Sequence, residues 1–405
     1  MIPVAAAIQI VKERTPRLPS ESVALEESLN RYLAQDIIAD TDLPPFDRSQ
    51  MDGYAIRAGD VQADALPARL KIVGESAAGR GWHHDIGSGQ AVRIMTGAPV
   101  PKGADSVQQV ELTRELAAQQ EVEILEVIAE GRSIVRQGAE IKAGARVLTA
   151  GERIGAGTMA VLASFGYAQV SVGRRPRVAV LATGSELVAV DQKPGRDQIR
   201  DSNNFSISAY AQLAGAIVER VPLAGDEAEL LKRQIKEASE RSEIVITSGG
   251  VSVGVYDFTK PVLKELGAEF FFERVALRPG KPTVFARLPN GTFVFGLPGN
   301  PVSVSVTFNL FARAAISALQ GASQTELESE TAVLGKNAKG AIERESYLPA
   351  RLGTNSAGQL IAAPLTWGGS SDFIAFARAN SLVIVPANTR VVEAGTKLRV
   401  LRLPM

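Results

Sequence analysis

Cysteine is absent from the 405 residues, which excludes disulfides, thiolate metal sites and cysteine nucleophiles and fits a reducing compartment. Histidine is nearly absent. The two that occur, His83 and His84, follow Trp82 and precede the loop formers Asp85 and Gly87, so a solvated loop is expected there and a histidine metal site is not. An excess of one charge is missing as well. Lys+Arg and Asp+Glu number 44 each, so bulk charge draws the chain neither to nucleic acid nor to an anionic membrane, and any anion site has to be local. Residues 1–14 lack the apolar core and small-residue cleavage site of a signal peptide. No uninterrupted apolar run reaches the roughly 18 to 20 residues needed to span a bilayer. A soluble cytoplasmic protein is expected, with no nucleic-acid and no membrane partner.

What is present is the composition of a globular enzyme, 45% hydrophobic and 22% charged, in a chain long enough for three or four domains. Residues 3–14 and 19–36 carry helix-like apolar spacing, the second stretch opening on Pro19-Ser20-Glu21-Ser22. After the break Leu43-Pro44-Pro45-Phe46 the pattern turns to short strands such as 54–56, 70–73 and 90–94, separated by Gly, Pro and Asp. Residues 46–137 therefore read as an inserted β-rich domain. Residues 1–45 and 138–172, with a helix at 156–166, read as one mixed N-terminal domain around it. Gly173-Arg174-Arg175-Pro176 is a plausible linker. From 173 to 325 strands alternate with helices: strands 177–181, 216–221 and 243–247, helices 203–214 and 227–241, a further helix, a strand pair ending at Phe295 and helix 301–319. That alternation predicts a doubly wound α/β domain with a mostly parallel sheet. Strands at 382–385 and 397–401 make residues 326–405 a small β-barrel or sandwich.

Ligands of open α/β sheets bind where strand ends meet helix N-termini. Three loops occupy such positions. They are Thr183-Gly184-Ser185-Glu186, the run Thr247-Ser248-Gly249-Gly250-Val251-Ser252-Val253-Gly254 leading to Asp257, and Gly296-Leu297-Pro298-Gly299-Asn300-Pro301-Val302-Ser303. Glycine and serine after a buried strand let backbone N–H groups approach an anion, and the following helix adds favourable potential. No Gly-Lys-Ser/Thr occurs, so this is not the Walker pattern. Between the second and third loops, Arg278-Pro279-Gly280-Lys281-Pro282 holds two cations on a stiff turn, suited to oxyanion capture or simply to solvent. Glu186, Asp226 and Asp257 supply acids at neighbouring strand ends, which near a phosphate site make best sense with Mg²⁺. Asp52-Gly53 and the segment 93–99 read as ordinary turns beside strands, or as functional loops.

Five motifs, in this order, carry a resemblance that covers the chain. Asp47-Arg48-Ser49-Gln50-Met51-Asp52-Gly53-Tyr54-Ala55, Ile94-Met95-Thr96-Gly97-Ala98-Pro99, Thr183-Gly184-Ser185-Glu186-Leu187, Ser248-Gly249-Gly250-Val251-Ser252-Val253-Gly254 and Leu297-Pro298-Gly299-Asn300-Pro301 resemble those of molybdopterin molybdenumtransferases, the family of the gephyrin E-domain. The resemblance implies an α/β domain similar to the pterin-adenylylating domain, flanked by the inserted β-rich domain and a C-terminal β-barrel. It implies insertion of molybdate into adenylated molybdopterin with release of AMP, in a homodimer joined through the N-terminal domain, with a contact to the pterin adenylyltransferase. Asp52, Thr96, Glu186, Asp226 and Asp257 would then be catalytic, in a site formed between subunits. Thr183, Gly184, Ser185, Ser248, Gly249, Gly250, Ser252, Gly254, Pro298, Gly299, Asn300 and Pro301 would hold the pterin substrate. Glu186 and Asp257 would hold Mg²⁺, and Arg278, Lys281, Ser303, Arg344, Ser370 and Ser371 molybdate.

Three departures stand out. Gly138-Ala139-Glu140 replaces the family's Gly-Glu-Asp, Val255 stands where an acid is frequent, and Arg274 and Arg278 stand where several relatives have Lys. Two other readings compete. A molybdopterin adenylyltransferase would need little beyond the α/β domain, and a non-catalytic gephyrin-like scaffold would need no clustered carboxylates.

Overall fold

The computed structural model describes every residue except Ala224, Asp226, residues 252–257 and Met405. The chain forms two compact units. One comprises Met1–Gln35, Ala150–Met159 and Gln169–Met405, and the other Asp36–Thr149 with Ala160–Ala168.

The first unit is built on a six-stranded sheet in the order Ile217–Arg220, Arg177–Ala182, Ile244–Ser248, Phe293–Leu297, Val284–Arg287, Glu269–Phe272. The first four strands are parallel, and the last two join antiparallel. The central strands read as continuous hydrophobic runs because helices cover both faces. The strand period of two divides their side chains between two cores. Val178, Val180, Ile244, Ile246, Phe285 and Phe295 point to the side covered by helices Val4–Arg14, Asn203–Leu213 and the helix from Pro301 to Leu319. Ala179, Leu181, Val245, Val284, Ala286 and Val294 point to the side covered by Ala228–Ser239 and Thr259–Glu265. This is the doubly wound arrangement that the alternation of strands and helices predicts.

The helix from Pro301 to Leu319 opens with Asn300 as cap and Pro301 in its first turn, where a missing N–H costs nothing. Its middle, Phe308–Ala312, widens to a π-turn. Although no unbroken apolar run is this long, the 19-residue helix as a whole is apolar enough to cross a membrane. Yet 94% of its apolar window is buried within the protein, so it is the core helix of this unit.

The expected helix over 19–36 does not form. Ser20–Ala24 is instead a strand paired antiparallel with Gln169–Gly173, followed by a short 3-10 turn, Leu25–Glu27. Ser20, Glu21 and Ser22 are exposed and Val23 and Ala24 half-buried, and the partner strand outweighs the weak helical spacing. Helix Val4–Arg14 forms as expected and buries Val4, Ala7 and Val11 in the α/β core.

After the α/β sheet the chain closes a barrel. Strands Glu345–Thr354, Leu360–Pro364, Ser329–Leu334, Lys397–Arg402 and Ser381–Val385 pair in turn, and the last pairs back to the first. Closure removes the sheet edges. A sixth strand, Leu277–Arg278, is borrowed from the α/β domain and pairs parallel with Glu345–Ser346, tying the basic turn to the barrel.

The second unit carries a six-stranded sheet in the order Ser106–Gln109, Gly53–Ile56, Gln90–Ile94, Ala68–Ser76, Glu121–Ile124, Thr113–Leu116. Tyr54 and Ile56 face one small core and Ala55 another, which explains a strand without a polar position. His83 and His84 lie exposed on a loop.

An aromatic stack lies on the sheet of the first unit. Phe285 is fully buried and stacks on Phe295 with centroids 4.6 Å apart, with Phe271, Phe272 and Phe293 around it. Replacing Phe285 with Ala is expected to cost about 3–5 kcal/mol, read from the denaturant midpoint of unfolding. A loss below about 1 kcal/mol would contradict the packing described.

Candidate active site

The three loops meet because their strands end level. Ala182 pairs with Ser248, and Ser248 with Leu297. The Thr183 N–H donates to the Ser248 carbonyl (2.9 Å) and the Gly249 N–H to the Leu297 carbonyl (3.1 Å), so the crossed chains are laced at their exits. Gly249 has φ +98°, and a Cβ there would come within 2.5 Å of the Thr183 carbonyl, so only glycine fits. Asn203, at the start of helix Asn203–Leu213, donates to Ser248 Oγ (2.8 Å) and to the Gly299 carbonyl (2.6 Å), binding the second loop to the third. Its Oδ1 is buried and has no partner among the described residues.

A cavity of about 990 Å³ opens over this lacing. Thr183, Gly184, Glu186, Ser248, Gly249, Gly250, Pro298, Gly299, Asn300, Pro301 and Ser371 line it. Ser185 is exposed at its edge of the first loop. Ser252, Gly254, Asp226 and Asp257, together with Val255, lie outside the described residues. Among the described residues no three acidic or histidine side chains gather as a metal cluster. Two carboxylates do line the cavity, Glu186 and Asp201. Asp201 is only 4% exposed and its Oδ1 accepts from the Asn204 N–H at 3.0 Å. Sequence reasoning missed it. The available signal was Asp201-Ser202-Asn203 ahead of a helix, a run of three residues suited to capping.

A second cavity, about 820 Å³, adjoins the first, and Pro282, Pro298 and Asn300 line both. Arg278, Lys281, Ser303, Arg344 and Ser370 line it, as do Lys336 and Lys339, which sequence reasoning also missed. Among the described residues, five cations and no carboxylate therefore face one space. Arg278 is aimed by its Nη1, which donates to the Gly340 carbonyl at 3.0 Å, and the Arg278-Pro279 peptide is cis. The barrel reaches the α/β loops here, as Asn300 donates to Ser370 Oγ (2.9 Å) and the Val302 N–H to the Ser370 carbonyl (3.0 Å). Ser370 and Ser371 thus face different cavities. A cation-lined space without acids suits a tetrahedral oxyanion, since guanidinium forks and ammonium points can both donate to it.

In the second unit, Asp52 and Thr96 meet across two turns. Asp52 Oδ1 accepts from the Thr96 N–H (2.6 Å) and the Thr96 hydroxyl (3.0 Å). Gly53 has no room for a Cβ against the Gln108 carbonyl, which holds Asp52 at the lip of the strand. Glu140, the departure from the family pattern, pairs with Arg48 of the same motif at 3.0 Å.

A doubly wound sheet with glycine-serine loops at helix starts and a cation-lined annex defines an α/β protein of the kind that binds anionic ligands at its strand ends. Three family descriptions match the chain in succession: the MoeA N-terminal region (domain I and II) over residues 2–166, a probable molybdopterin binding domain over 179–318 and the MoeA C-terminal region (domain IV) over 331–403. The molybdopterin molybdenumtransferase of Staphylococcus aureus (strain Mu50) is 38% identical over 396 residues, 97% of this chain and 94% of the relative. That of Bacillus subtilis is 38% identical over 411 residues, 99% and 94%. The molybdopterin biosynthesis moea protein from Pyrococcus horikosii superposes with a TM-score of 0.81 at 31% identity, covering 99% of both chains. The chain belongs to the molybdopterin molybdenumtransferase family.

The Thr96 N–H, and after it the Thr96 hydroxyl, hold the exposed Asp52 carboxyl below the ordinary aspartate range. A depressed carboxylate adds stability above its unfolded pKa and loses it as pH falls through the folded value. Thr96→Val removes the hydroxyl and keeps the N–H. The Asp52 titration, followed by carboxyl NMR, is expected to move up while staying below that of a free aspartate. An unmoved titration would show that the hydroxyl contributes nothing.

Proposed function

We propose that the chain inserts molybdate into the dithiolene of adenylated molybdopterin and releases AMP, yielding molybdenum cofactor. The observation that carries this reading is the pair of adjoining cavities, one floored by glycine-serine loops and the other walled by Arg278, Lys281, Lys336, Lys339 and Arg344. The first suits the phosphates of the adenylated pterin, and the second the incoming oxyanion, which is substrate rather than resident cofactor. The barrel residues Lys336, Arg344 and Ser370 wall the second cavity. An adenylyltransferase built from the α/β domain alone has no use for them, and a scaffold has no use for either cavity.

Mg²⁺ belongs to the same proposal. Glu186 and Asp201 in the loop cavity offer the one or two carboxylates that Mg²⁺ takes while keeping its waters. Glu186 and Asp257 are the ligands we favour, with Asp201 as the alternative second donor. The ion would neutralise phosphate charge. Asp52 and Thr96 are assigned to catalysis in a homodimer in the cytoplasm, with the pterin adenylyltransferase as supplier and contact.

Purified protein incubated with adenylated pterin, Mg²⁺ and molybdate is expected to release AMP in step with metal inserted, and only when the oxyanion is present. Consumption of ATP to adenylate the pterin would support the adenylyltransferase instead, and neither reaction would support the scaffold. Tungstate in place of molybdate reads the metal preference.

Two variants divide the site. Loss of one charge-assisted hydrogen bond, roughly 1.5–3 kcal/mol, corresponds to about tenfold to a hundredfold in affinity. Lys281→Ala is therefore expected to raise the molybdate requirement by about that factor with little change in adenylated-pterin binding, and Asp257→Ala to do the converse. Loss of pterin binding in Lys281→Ala with an unchanged molybdate requirement would make the basic turn a phosphate clamp. Mixing inactive Asp52→Ala and Asp257→Ala chains is expected to restore activity in heterodimers. Heterodimers that form and stay inactive would count against a site shared between subunits.

A further inference from the structure

We propose that Lys336 and Lys339 form a capture ring at the mouth of the basic cavity, drawing the oxyanion dianion in before the less exposed Arg278 and Arg344 hold it. The inference rests on the molybdate reading above and assigns a role to two residues that the family motifs leave out. Both lysines line the cavity and both are exposed, as is Lys281, whereas Arg278 and Arg344 are half-buried. The lysines are outermost.

Their segment is pinned rather than loose. Ala338–Lys339 pairs antiparallel with Val391–Val392, and Ala338 is 2% exposed. Asn337 Oδ1 accepts from the Ala394 N–H at 2.9 Å, and the Gly340 N–H donates to the Arg390 carbonyl at 3.0 Å. The Gly340 carbonyl then receives the Arg278 guanidinium, so the residue after Lys339 orients the inner cation. Outer and inner cations are joined through one backbone.

Surface lysines ordinarily find a carboxylate. Among the described residues none of the five cations of this cavity is in an ion pair, and the lining offers no acid. One dianion leaves positive charge in excess, so binding alone does not account for all five. A concave wall of one sign in a neutral chain focuses its field outward and raises the local concentration of anions. Such an effect acts on capture, is strongest for a dianion and fades with salt as the screening length falls below about 10 Å.

The test is a pair of double variants, Lys336→Gln with Lys339→Gln, and Lys336→Arg with Lys339→Arg, assayed over a range of ionic strength. In the Gln pair, kcat/KM for molybdate is expected to fall about tenfold at low salt. The deficit should close as salt rises, while KM for adenylated pterin holds. The Arg pair should retain the wild-type salt slope. Calorimetric titration of each protein with molybdate alone reads the same ring without turnover, weaker in the Gln pair and restored in the Arg pair. An unchanged kcat/KM, a loss independent of salt, or an equal loss toward adenylated pterin would each overturn the ring. A wild-type chain that binds molybdate with this salt dependence yet releases no AMP would remove the proposed activity and leave the ring standing.

Discussion

The site depends on three parallel strands that stop at one level. The register Ala182–Ser248–Leu297 runs straight across the sheet, and each following loop leaves from the same edge. A slip by one residue would turn Val178 and Val180 out of one core and Ala179 and Leu181 out of the other, so the two hydrophobic layers enforce the register. Convergence of the loops follows from packing far from any ligand. Gly249 is the local consequence, because the chains cross so closely that the Thr183 carbonyl occupies the space of a side chain. Asn203 then fastens the second and third loops together from the helix beside them.

Charge is sorted between the two cavities that share Pro282, Pro298 and Asn300. Among the described residues the carboxylates Glu186 and Asp201 face the glycine loops together with Arg200, and five cations without an acid face the annex. An oxyanion and a carboxylate in one cavity would repel, whereas a metal-bound phosphate tolerates acids around it. The sorting follows from chain origin. The acids come from loops of the α/β domain, while Lys336, Lys339 and Arg344 come from the barrel domain, which Arg278 reaches by pairing with Ser346. A barrel of ordinary design thus supplies half of a site that the α/β domain cannot finish.

Much of the architecture was legible in the sequence. The β-strand runs 54–56, 70–73 and 90–94, the helix over 3–14 and the βα alternation from 177 appear where their periodicity predicts them. Residues 19–36 misled because Ser20–Ala24 has weak helical spacing and finds its partner in Gln169–Gly173, a pairing that no local pattern announces. The candidate site was legible where the residues lining the cavity belong to motifs, as in the loops around Thr183, Gly249 and Asn300. Asp201 was hidden because a buried acid before a helix has the same sequence signature as a cap. Lys336 and Lys339 were hidden for another reason: they lie more than fifty positions from the basic turn, and only the strand pairing to Val391–Val392 turns them to the same space. Long-range register decides such residues, and composition does not record it.

The central claim is that oxyanion and pterin nucleotide occupy separate cavities. Anomalous diffraction at the molybdenum edge, from crystals of the protein soaked with molybdate in the presence of AMP, tests it most directly. The account predicts a molybdenum peak bounded by Arg278, Lys281, Arg344 and Ser370, with nucleotide phosphate over Gly249 and Gly250. A molybdenum peak over the Gly249–Gly250 turn, with the basic cavity holding the phosphate, would contradict it.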